Sequence, residues 1–463
     1  SSLERDSLAL LSIYDAMDGA NWTGTVIGWR RDNRPVGDWT GVVDAGNRIT
    51  GLNLPGRGVI NDLPSDIRDI TQIKSVDFSG NAITGLPDMT SLEKIESINV
   101  SGNKLEFDDF ERNLDHLSKM VIGTQNPFGP TVEPIKLKAG VDYPVSVKIG
   151  GEYNVYEWER KAHVLYGNPA SFVVQPKEIG STVLLENLRF DNMGTYRCQI
   201  TNPKVPGLTL MSNETQVVGT VDLQGRVYDN NGAEVNEGDI GMMVIRDLKT
   251  RYDSLINPAT GQPVFKVGLD GYIIRDVPLG DYIIGVRSDP TKYIQTYYVS
   301  QYEWLAADTL SLRDKKGKLN INITNVPVPD PGNFGDGTFS GVFEEDDGLD
   351  DGRTLGRRRL KGKGCVLKRR RGSGRGDADE VFDLYAYVET NDNGEFVFEE
   401  LIPGTYRFNI EFPGIPMDED SFTEFVVSGD LREANTFTVL ATATPEGVIQ
   451  VGLNEILSIH KEY

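Results

Sequence analysis

The chain has few of the residues that build disulfide frameworks and common catalytic centres. Its two cysteines, Cys198 and Cys365, lie in distant parts of the 463 residues, which excludes the disulfide framework of a small secreted domain. Its three histidines, His116, His163 and His460, are also far apart. The sequence contains no nucleophile-elbow, zinc-protease or phosphate-loop motif. No apolar run reaches about 18 residues, so no membrane-spanning helix is predicted.

Positive charge is also scarce overall. The formal net charge is −22, which disfavours a general nucleic-acid-binding role because phosphates repel an acidic surface. The 50 glycines and 23 prolines predict many turns and short strands rather than long helices. About three to five domains are expected for this length. The chain begins Ser1-Ser2-Leu3, which indicates a mature form without its signal peptide, or a trimmed chain.

A short sequence pattern recurs at a fixed interval in the N-terminal third. Its copies are Ile73–Asn81, Ile95–Asn103 and Leu117–Gln125, with a looser copy that begins at Ile49. The pattern resembles leucine-rich repeats, in which alternating apolar residues point into a solenoid and a buried asparagine closes each turn. We therefore expect a short solenoid in which the amides of Asn81 and Asn103 bond to backbone groups.

The outward residues of the predicted solenoid strands form a candidate binding face. Neighbouring residues of a strand alternate between core and solvent, so the outward side chains are available to a ligand. We call this set the solenoid face, and its members are Asn53, Lys74, Asp77, Glu96 and Asn99.

The segment before the repeats is expected to cap the solenoid, whose end would otherwise expose apolar residues. A helix-period stripe of Leu8, Leu11 and Tyr14 predicts a helix at the start of this segment. Three tryptophans follow, and cap core is favoured over a sugar-binding platform as their role. They are Trp22, Trp29 and Trp39. The segment resembles the N-terminal cap of bacterial secreted leucine-rich-repeat proteins.

Residues 130–217 carry an immunoglobulin-like signature. The run from Asp191 to Cys198 is similar to the D-x-G-x-Y-x-C motif, and Tyr196 stands two residues before the cysteine, as a tyrosine corner requires. Trp158 would be the core tryptophan of the facing strand. The partner cysteine is missing, and Val145 or Val147 takes its place. Cys198 is therefore expected to be a buried free thiol rather than a catalytic cysteine.

Two segments of the C-terminal half resemble each other. Asp270–Tyr282 and Asn393–Tyr406 each contain a turn, a strand, a turn with proline and glycine, and a strand that begins near a tyrosine. Upstream, Gly225–Asp229 corresponds to Gly341–Glu345. Both regions look like the prealbumin-like sandwiches of carboxypeptidase regulatory domains and of B-type adhesin repeats. This resemblance implies a fold and says little about activity.

The predicted fold class is therefore a mainly β multidomain chain. A short leucine-rich-repeat solenoid with a helical N-terminal cap precedes an immunoglobulin-like β-sandwich and two prealbumin-like β-sandwiches. The predicted boundaries are 1–47 for the cap, 48–129 for the repeats, 130–217 for the immunoglobulin-like sandwich, 218–315 for the first prealbumin-like sandwich, and 316–463 for a linker, the second prealbumin-like sandwich and the C-terminal strands.

The last predicted sandwich contains a basic run on an otherwise acidic chain. No acidic residue occurs between Arg353 and Arg375, and Lys361–Gly364 is expected to form the turn of a hairpin. This run is the best candidate contact surface in the chain and is expected to make the main intermolecular contact, with an anionic polysaccharide, the acidic surface of a neighbouring copy, or lipid head groups. Its candidate binding residues are Arg357, Arg358, Arg359, Lys361, Lys363, Lys368, Arg369, Arg370 and Arg371.

An acidic loop precedes the basic run. Its carboxylates are hard oxygen ligands that suit Ca²⁺, although the spacing of an EF-hand loop is absent. The alternative is that these acids pair with the neighbouring bases. The candidate calcium ligands are Asp346, Asp347, Asp350 and Asp351, and no other cofactor is predicted.

Taken together, these modules resemble the secreted surface proteins of Bacteroidota. Proteins of that group usually leave the cell by type IX secretion, and their C-terminal sorting domain is removed afterwards. The resemblance implies a secreted or outer-surface location and a chain that lacks its sorting domain. It also implies O-glycosylation at Asp-Ser/Thr-aliphatic motifs. The matching positions are Ser7, Ser254 and Thr309.

The sequence predicts a non-enzymatic protein that binds or scaffolds at the cell surface, with a protein or an anionic glycan as its partner. Self-association is compatible with this prediction, and nucleic acid is not an expected partner. One alternative is a structural or accessory subunit of a larger extracellular assembly or filament. The other is a secreted hydrolase whose carboxylate site has no recognisable motif.

The prediction of a buried free thiol is tested by chemical labelling. A bulky maleimide should not modify Cys198 in the native protein, because a buried thiol is neither accessible nor ionised. The same reagent should modify it in urea, which serves as the control. Rapid modification of the native protein at Cys198 would contradict the prediction.

Overall fold

The structure is a computed structural model that describes residues 2–30, 32–163, 170–175, 180–247, 251–314, 318–346, 358–372, 381–415, 417–430, 432–433, 435–444 and 449–456. The chain is mainly β, with several sandwiches after a small parallel sheet. We divide it into a first module (2–129), a second module (130–217), a third module (218–327) and a fourth module (335–456). Within the described ranges, no helix has the length and apolarity needed to cross a membrane.

The repeated segments of the first module stack as a parallel sheet. Its helices and strands are α1 (Ser2–Ala16), β1 (Val42–Asp44), β2 (Ile49–Asn53), β3 (Ile60–Asp62), β4 (Ser75–Asp77), β5 (Ala82–Gly85), β6 (Ser97–Asn99), α2 (Phe107–Glu111) and β7 (Met120–Val121). Strands β2, β4, β6 and β7 run parallel, with Leu52, Val76, Ile98 and Met120 opposite one another. Strand β1 pairs antiparallel with β2, and β3 pairs with β5. Each repeat thus contributes one strand in register.

Buried amide side chains connect the successive repeats. The Nδ2 group of Asn81 donates hydrogen bonds to the carbonyls of Leu54 and Phe78, both at 2.8 Å. Asn103 continues the ladder, donating to the carbonyls of Phe78 at 2.9 Å and Val100 at 3.1 Å. The Oδ1 atom of each amide accepts hydrogen bonds from backbone N–H groups. The predicted bonding of both asparagines to the backbone is confirmed.

The three tryptophans form the core of the segment before the repeats. Their rings contact one another, with centroids 5.0 Å apart for Trp22 and Trp29 and 5.3 Å apart for Trp29 and Trp39. All three are buried, and each indole N–H donates to a backbone carbonyl. Because the ring faces pack against other side chains, the favoured interpretation as core is confirmed and a sugar-binding platform is excluded.

The predicted stripe of helix α1 is wrong at Leu8, whose side chain is 62% exposed. Asp6 determines which face turns inward, because its buried carboxylate pairs with Arg48 at 2.9 Å and accepts a hydrogen bond from the backbone of Ile49. The buried apolar residues of this face are Ala9, Leu10, Ile13, Tyr14 and Met17.

The second module is a two-sheet sandwich. Its strands are β8 (Ile135–Lys138), β9 (Tyr143–Ser146), β10 (Val155–Ala162), β11 (Phe172–Val174), β12 (Thr182–Leu185), β13 (Gly194–Thr201), β14 (Thr209–Met211) and β15 (Thr215–Gly225). Strands β9 and β12 form one sheet, and the order β11-β10-β13-β15 forms the other. Trp158 lies opposite Cys198 across β10 and β13, and both are buried. Cys198 is free, and of the two valines predicted to replace the missing partner cysteine, Val145 is buried.

The third and fourth modules contain the remaining strands. Those of the third module are β16 (Val227–Tyr228), β17 (Asp239–Asp247), β18 (Arg251–Ser254), β19 (Phe265–Lys266), β20 (Tyr272–Pro278), β21 (Gly280–Arg287), β22 (Tyr293–Ile294), β23 (Thr296–Tyr297), β24 (Leu310–Leu312), β25 (Lys318–Asn320), β26 (Ile323–Thr324) and β27 (Val326–Pro327). Those of the fourth are β28 (Gly337–Glu345), β29 (Arg358–Arg359), β30 (Gly364–Arg370), β31 (Phe382–Glu389), β32 (Glu395–Leu401), β33 (Gly404–Glu411), β34 (Phe422–Val427), β35 (Thr436–Ala443) and β36 (Ile449–Ile456).

The two segments that resemble each other in sequence have the same topology. Strand β20 pairs with β15 and β21 with β17, whereas β32 pairs with β28 and β33 with β30. In both modules the chain therefore crosses between sheets at the predicted turn. Asp276 and Glu400 occupy equivalent places before that turn, and both have positive φ angles, of 55° and 57°.

A tyrosine stabilises an equivalent corner in three of the modules. The hydroxyl groups of Tyr196, Tyr282 and Tyr406 donate to the backbone carbonyl of the fourth preceding residue, at 2.5, 2.6 and 2.7 Å. All three rings are buried. The tyrosine corner predicted at Tyr196 is therefore present, and the third and fourth modules contain the same interaction.

The predicted domain boundary at residues 217 and 218 lies within a strand. Strand β15 continues through residues 217 and 218, pairing with β8 and β13 in its first half and with β20 and β25 in its second half. Strands β25, β26 and β27 follow the predicted boundary at residue 315, and they pair with strands of the third module. Val326 and Pro327, which lie in the predicted linker region, are thus paired within that module.

The asparagine ladder makes a quantitative prediction about stability. Asn81→Ala and Asn103→Ala should each lower the free energy of unfolding of the first module by about 1–3 kcal/mol, because each leaves buried backbone groups without partners. Denaturant unfolding would measure the change, with the exposed Asn47→Ala as the matched control. Changes in both variants no larger than in the control would show that the ladder does not stabilise the repeats.

Candidate interaction surfaces

The structure brings the five residues of the solenoid face together. Backbone pairing aligns Asn53 with Asp77, and Asp77 with Asn99, on successive parallel strands. Lys74 and Glu96 precede two of these strands, and their side chains form an ion pair at 3.1 Å. Both charged side chains are more than half exposed, so the pair adds little stability and its groups remain accessible to a ligand.

Local hydrogen bonds fix two side chains of the solenoid face. The Oδ1 atom of Asp77 accepts from the backbone N–H of Ser79 at 2.9 Å and from its hydroxyl at 2.7 Å. The Oδ1 atom of Asn99 accepts from the hydroxyl of Ser101 at 2.9 Å. A ligand would therefore meet polar groups whose positions are already set, which reduces the entropy lost on binding.

The basic run does not form the predicted hairpin. Strand β29 pairs with β28 in one sheet of the fourth module, whereas β30 pairs with β31 and β33 in the other sheet. The turn at Gly362, with a φ angle of 67°, crosses between the two sheets. Cys365, Val366 and Leu367 are buried, so the second half of the run is a core strand rather than one arm of an exposed loop.

Most charges of the basic run have partners within the molecule. Ion pairs join Arg358 to Glu345 at 2.8 Å, Arg359 to Glu344 at 3.4 Å, Lys361 to Asp392 at 2.5 Å, Arg371 to Asp383 at 2.6 Å, and Lys368 to Glu303. Arg369 donates to the carbonyl of Pro403 at 2.7 Å. Arg357 lies outside the described residues. These pairs reduce the net positive charge of the surface, and its role as an intermolecular contact stays a prediction.

Lys363 lies in a different environment from the other bases of the run. Its ammonium group stands 3.9 Å from the centroid of the Phe412 ring, a cation–π contact. Burial lowers the pKa of Lys363 to about 8, and the nearby cations Arg287 and Arg358 act in the same direction. Lys363 therefore lies against the fourth module rather than extending toward a partner.

The predicted calcium site falls largely outside the described residues. Asp347, Asp350 and Asp351 belong to that undescribed segment, and Asp346 is at its edge. In the part of the chain that the structure describes, no group of three or more acidic, histidine or cysteine side chains is arranged to hold a metal ion. The calcium site stays a prediction. Glu344 and Glu345 pair with arginines, as the alternative interpretation of the acidic loop expects.

A buried contact, which we call the joint, connects the third and fourth modules. Its apolar part contains Ile294 of the third module and Val366 and Tyr387 of the fourth, all at most 4% exposed. Arg287 of the third module pairs with Glu389 of the fourth, with Nε and Oε1 3.0 Å apart. Partly buried residues complete the apolar part, namely Tyr302, Val326, Val328 and Leu384.

Polar contacts in the joint also cross between the modules. Lys368 of the fourth module pairs with Glu303 of the third. The backbone N–H of Trp304 donates to Oε2 of Glu411 at 3.2 Å, and Glu411 is 4% exposed. Two members of the predicted contact surface, Lys363 and Lys368, therefore lie in or beside an internal interface.

The other module boundaries are also bridged by side chains. Glu106 and Glu111 of the first module accept hydrogen bonds from backbone N–H groups of the second, at 2.6 Å for Gly150 and 2.9 Å for Glu152. At the next boundary, Lys138 contacts two aspartates of the third module, both at 2.6 Å. Each pair of neighbouring modules is thus joined by contacts that restrict their relative motion.

The candidate modification and reactive sites differ in accessibility. Ser254 and Thr309 are exposed, whereas Ser7 is part of helix α1 and its hydroxyl donates to the carbonyl of Glu4 at 2.8 Å. Ser7 also follows the buried Asp6, so the motif there has a structural role. Burial raises the pKa of the Cys198 thiol to about 12, which leaves no thiolate for catalysis at neutral pH.

Comparisons with known proteins find partial similarity. No protein-family profile matches the chain. The chain is 32% identical over 84 residues to a probable inactive receptor kinase of Arabidopsis thaliana, covering 18% of this chain and 12% of that protein. It is 27% identical over 125 residues to the receptor-like kinase TMK2 of the same organism, covering 26% and 14%. The chain thus spans a small part of these curated relatives.

Solved structures show weak likeness over longer stretches. The Bacillus anthracis TIE protein matches with 13% identity and a TM-score of 0.20, covering 68% of this chain and 56% of that one. A streptococcal ancillary pilin matches with 12% identity and a TM-score of 0.19, covering 60% and 89%. None of these likenesses assigns the chain to a family.

The joint is the main contact that reasoning from sequence missed. A signal was present in Cys365-Val366-Leu367, where the apolar residues do not alternate with polar ones. A strand with one solvated face alternates, whereas a strand covered on both faces reads as a continuous apolar run. The many arginines and lysines around these three residues favoured the prediction of an exposed basic surface. The three residues themselves indicate a strand whose second face is covered by another part of the protein.

The apolar part of the joint makes a prediction about stability. Val366→Ala should lower the free energy of unfolding of the fourth module by about 1–3 kcal/mol, because it removes buried methyl groups between two modules. Calorimetry would show the shift, with the exposed Val397→Ala of the same module as the matched control. Equal effects of the two substitutions would mean that the joint does not support the fourth module.

Proposed function

We propose that the chain is a non-enzymatic, secreted or cell-surface protein that binds a protein or an anionic glycan through the solenoid face. The observation that carries this proposal is the open parallel sheet of the first module. Its polar side chains are accessible and are held in place by their own local hydrogen bonds. The second, third and fourth modules would act as a scaffold that holds the first module away from its attachment point.

Several finer assignments belong to the same proposal. We take the first module as a short leucine-rich-repeat solenoid with its cap, because parallel strands joined by buried asparagines fit that architecture. We take the later modules as an immunoglobulin-like sandwich and two prealbumin-like sandwiches of a Bacteroidota-type surface protein, exported by type IX secretion. Within that proposal, Ser254 and Thr309 are the candidate glycosylation sites, since both are exposed.

A second candidate function is a subunit of a larger extracellular assembly. Strand β36 is the last in the order β29-β28-β35-β36, and its outer edge has no paired strand among the described residues. An open edge can accept a strand from a second copy through main-chain hydrogen bonds. Sedimentation of the pure protein distinguishes the two functions, because a scaffolded binder stays monomeric and an assembly subunit does not.

Binding measurements on two sets of variants test the main proposal. A ligand identified on a glycan array or captured from native cell surfaces should bind at least about tenfold more weakly after combined Asn53→Ala, Lys74→Ala and Glu96→Ala substitutions. This loss is expected because hot-spot contacts carry most of the binding energy. Unchanged binding by that variant would remove the solenoid face from the contact.

The comparison set replaces arginines of the basic run by serine, after folding is confirmed. The replaced residues are Arg357, Arg358, Arg359, Arg369, Arg370 and Arg371. Retention on the ligand, measured across a salt series, should stay within about twofold of the unmodified chain, since Arg358, Arg359 and Arg371 already pair with carboxylates. A loss of retention together with a shallower salt dependence would instead place the contact on the basic run.

A further inference from the structure

Glu411 is a buried carboxyl group shared by two modules. It ends strand β33, and its side chain reaches the third module, where Oε2 accepts a hydrogen bond from the backbone N–H of Trp304 at 3.2 Å. Its Oε1 accepts from Nδ2 of Asn409 at 2.8 Å. Separation of the modules would expose this carboxyl group to water. Its protonation is therefore coupled to docking of the third module on the fourth.

The charges around Glu411 give its ionised form little support. The third module contributes the carboxylate of Glu303 and the phenol groups of Tyr297 and Tyr302. The fourth module contributes the ammonium group of Lys368, which is already paired with Glu303. Among the described groups that act on Glu411, the one cation is thus shared with a second carboxylate.

One uncharged acceptor in this network also favours a protonated carboxyl group. Nδ2 of Asn409 donates to Glu411, and Oδ1 of the same amide is buried and has no hydrogen-bond partner. A protonated carboxyl group offers an O–H donor, whereas an ionised one adds only acceptors and an uncompensated charge. A buried acceptor without a donor is costly, and protonation of Glu411 adds a donor to this network.

We propose that the joint is a pH-dependent clasp, closed while Glu411 is protonated and loosened when Glu411 ionises, so that the fourth module becomes mobile relative to the third as pH rises. This proposal depends on the joint alone and is independent of ligand binding at the solenoid face.

The direction of the pH dependence follows from the pKa of Glu411. Burial raises that pKa from the ordinary value of 4.5 to about 7, and the carboxylate of Glu303 acts in the same direction. The docked state therefore binds the proton more tightly than the separated state. Docking is strongest below pH 4.5, weakens as pH rises toward about 7, and changes no further above that value. The shift corresponds to roughly a three-hundredfold change in the docking equilibrium.

The experiment measures the distance between the two modules in the full chain. Nitroxide labels are attached at Leu269→Cys of the third module and Val426→Cys of the fourth, both exposed positions. Cys198 and Cys365 are buried and stay unlabelled. Double electron–electron resonance should give one narrow distance distribution at about pH 5 and a growing broad component as pH approaches about 7.

Variants of Glu411 and of an exposed glutamate provide the comparison. Glu411→Gln keeps an acceptor for the N–H of Trp304 but cannot ionise, so its distances should stay narrow at every pH. The exposed Glu399→Gln should keep the pH dependence of the unmodified chain. A pH-independent distance in the unmodified chain, or an unchanged pH dependence in Glu411→Gln, would overturn the proposal.

A further variant keeps the test decisive if Glu411→Gln does not fold. Glu303→Gln removes the second carboxylate and leaves Lys368 to support the ionised Glu411, so the loosening should be smaller and end at a lower pH. An unchanged profile would again contradict the clasp. The experiment measures the distance between modules rather than the global stability of the chain. Burial also raises the pKa of Asp109 in the first module to about 6, so global stability would depend on pH even without any change in the joint.

Discussion

The sheet β31-β30-β33-β34 needs cover on both of its faces, and the arrangement of the C-terminal half depends on this requirement. One face contributes Leu367 and Phe408 to the core of the fourth module. The other face presents Val366 and Tyr387, which pack against Ile294, Tyr302 and Val326 of the third module. The fourth module is therefore incomplete as a separate sandwich, since removal of the third would expose apolar side chains and the carboxyl group of Glu411 to water.

The same requirement accounts for the distribution of charge around β30. The first half of the strand is buried, so its basic residues are in its second half, and others are on β29, which precedes it in the chain. There they meet Glu303, Glu345 and Asp383, which belong to three different segments of the chain. Of these pairs, Lys368 with Glu303 crosses the joint, and the others stay within the fourth module. Exposed ion pairs add little stability, so the basic run contributes less to the joint than its buried apolar residues do.

Local sequence patterns predicted much of the fold. The features that were not predicted correctly depend on pairing between residues that are distant in the sequence. The repeats, the tyrosine corner and the free Cys198 each depend on residues close in sequence or on a periodic pattern. The prediction of a hairpin around Lys361–Gly364 was wrong, because the spacing of charged residues and glycines does not determine which sheet a strand joins. The prediction that Leu8 belongs to the buried stripe of helix α1 was wrong for a related reason. The buried face of the helix includes Asp6, which pairs with Arg48, a residue distant in the sequence.

The solenoid face and the joint differ in the same way, because one depends on residues close in sequence and the other on residues that are distant in sequence. Strand alternation predicted that Asn53, Asp77 and Asn99 would be aligned, because parallel stacking repeats a local pattern from one strand to the next. The joint instead combines Glu303, Lys368 and Glu411, whose proximity arises only when two modules dock. A buried carboxyl group cannot be recognised from sequence, because its environment and not its neighbours in the chain sets its pKa. A buried carboxyl group at an interface can be identified only once the packing of both modules is known. Its burial then couples its protonation to the docking of the two modules.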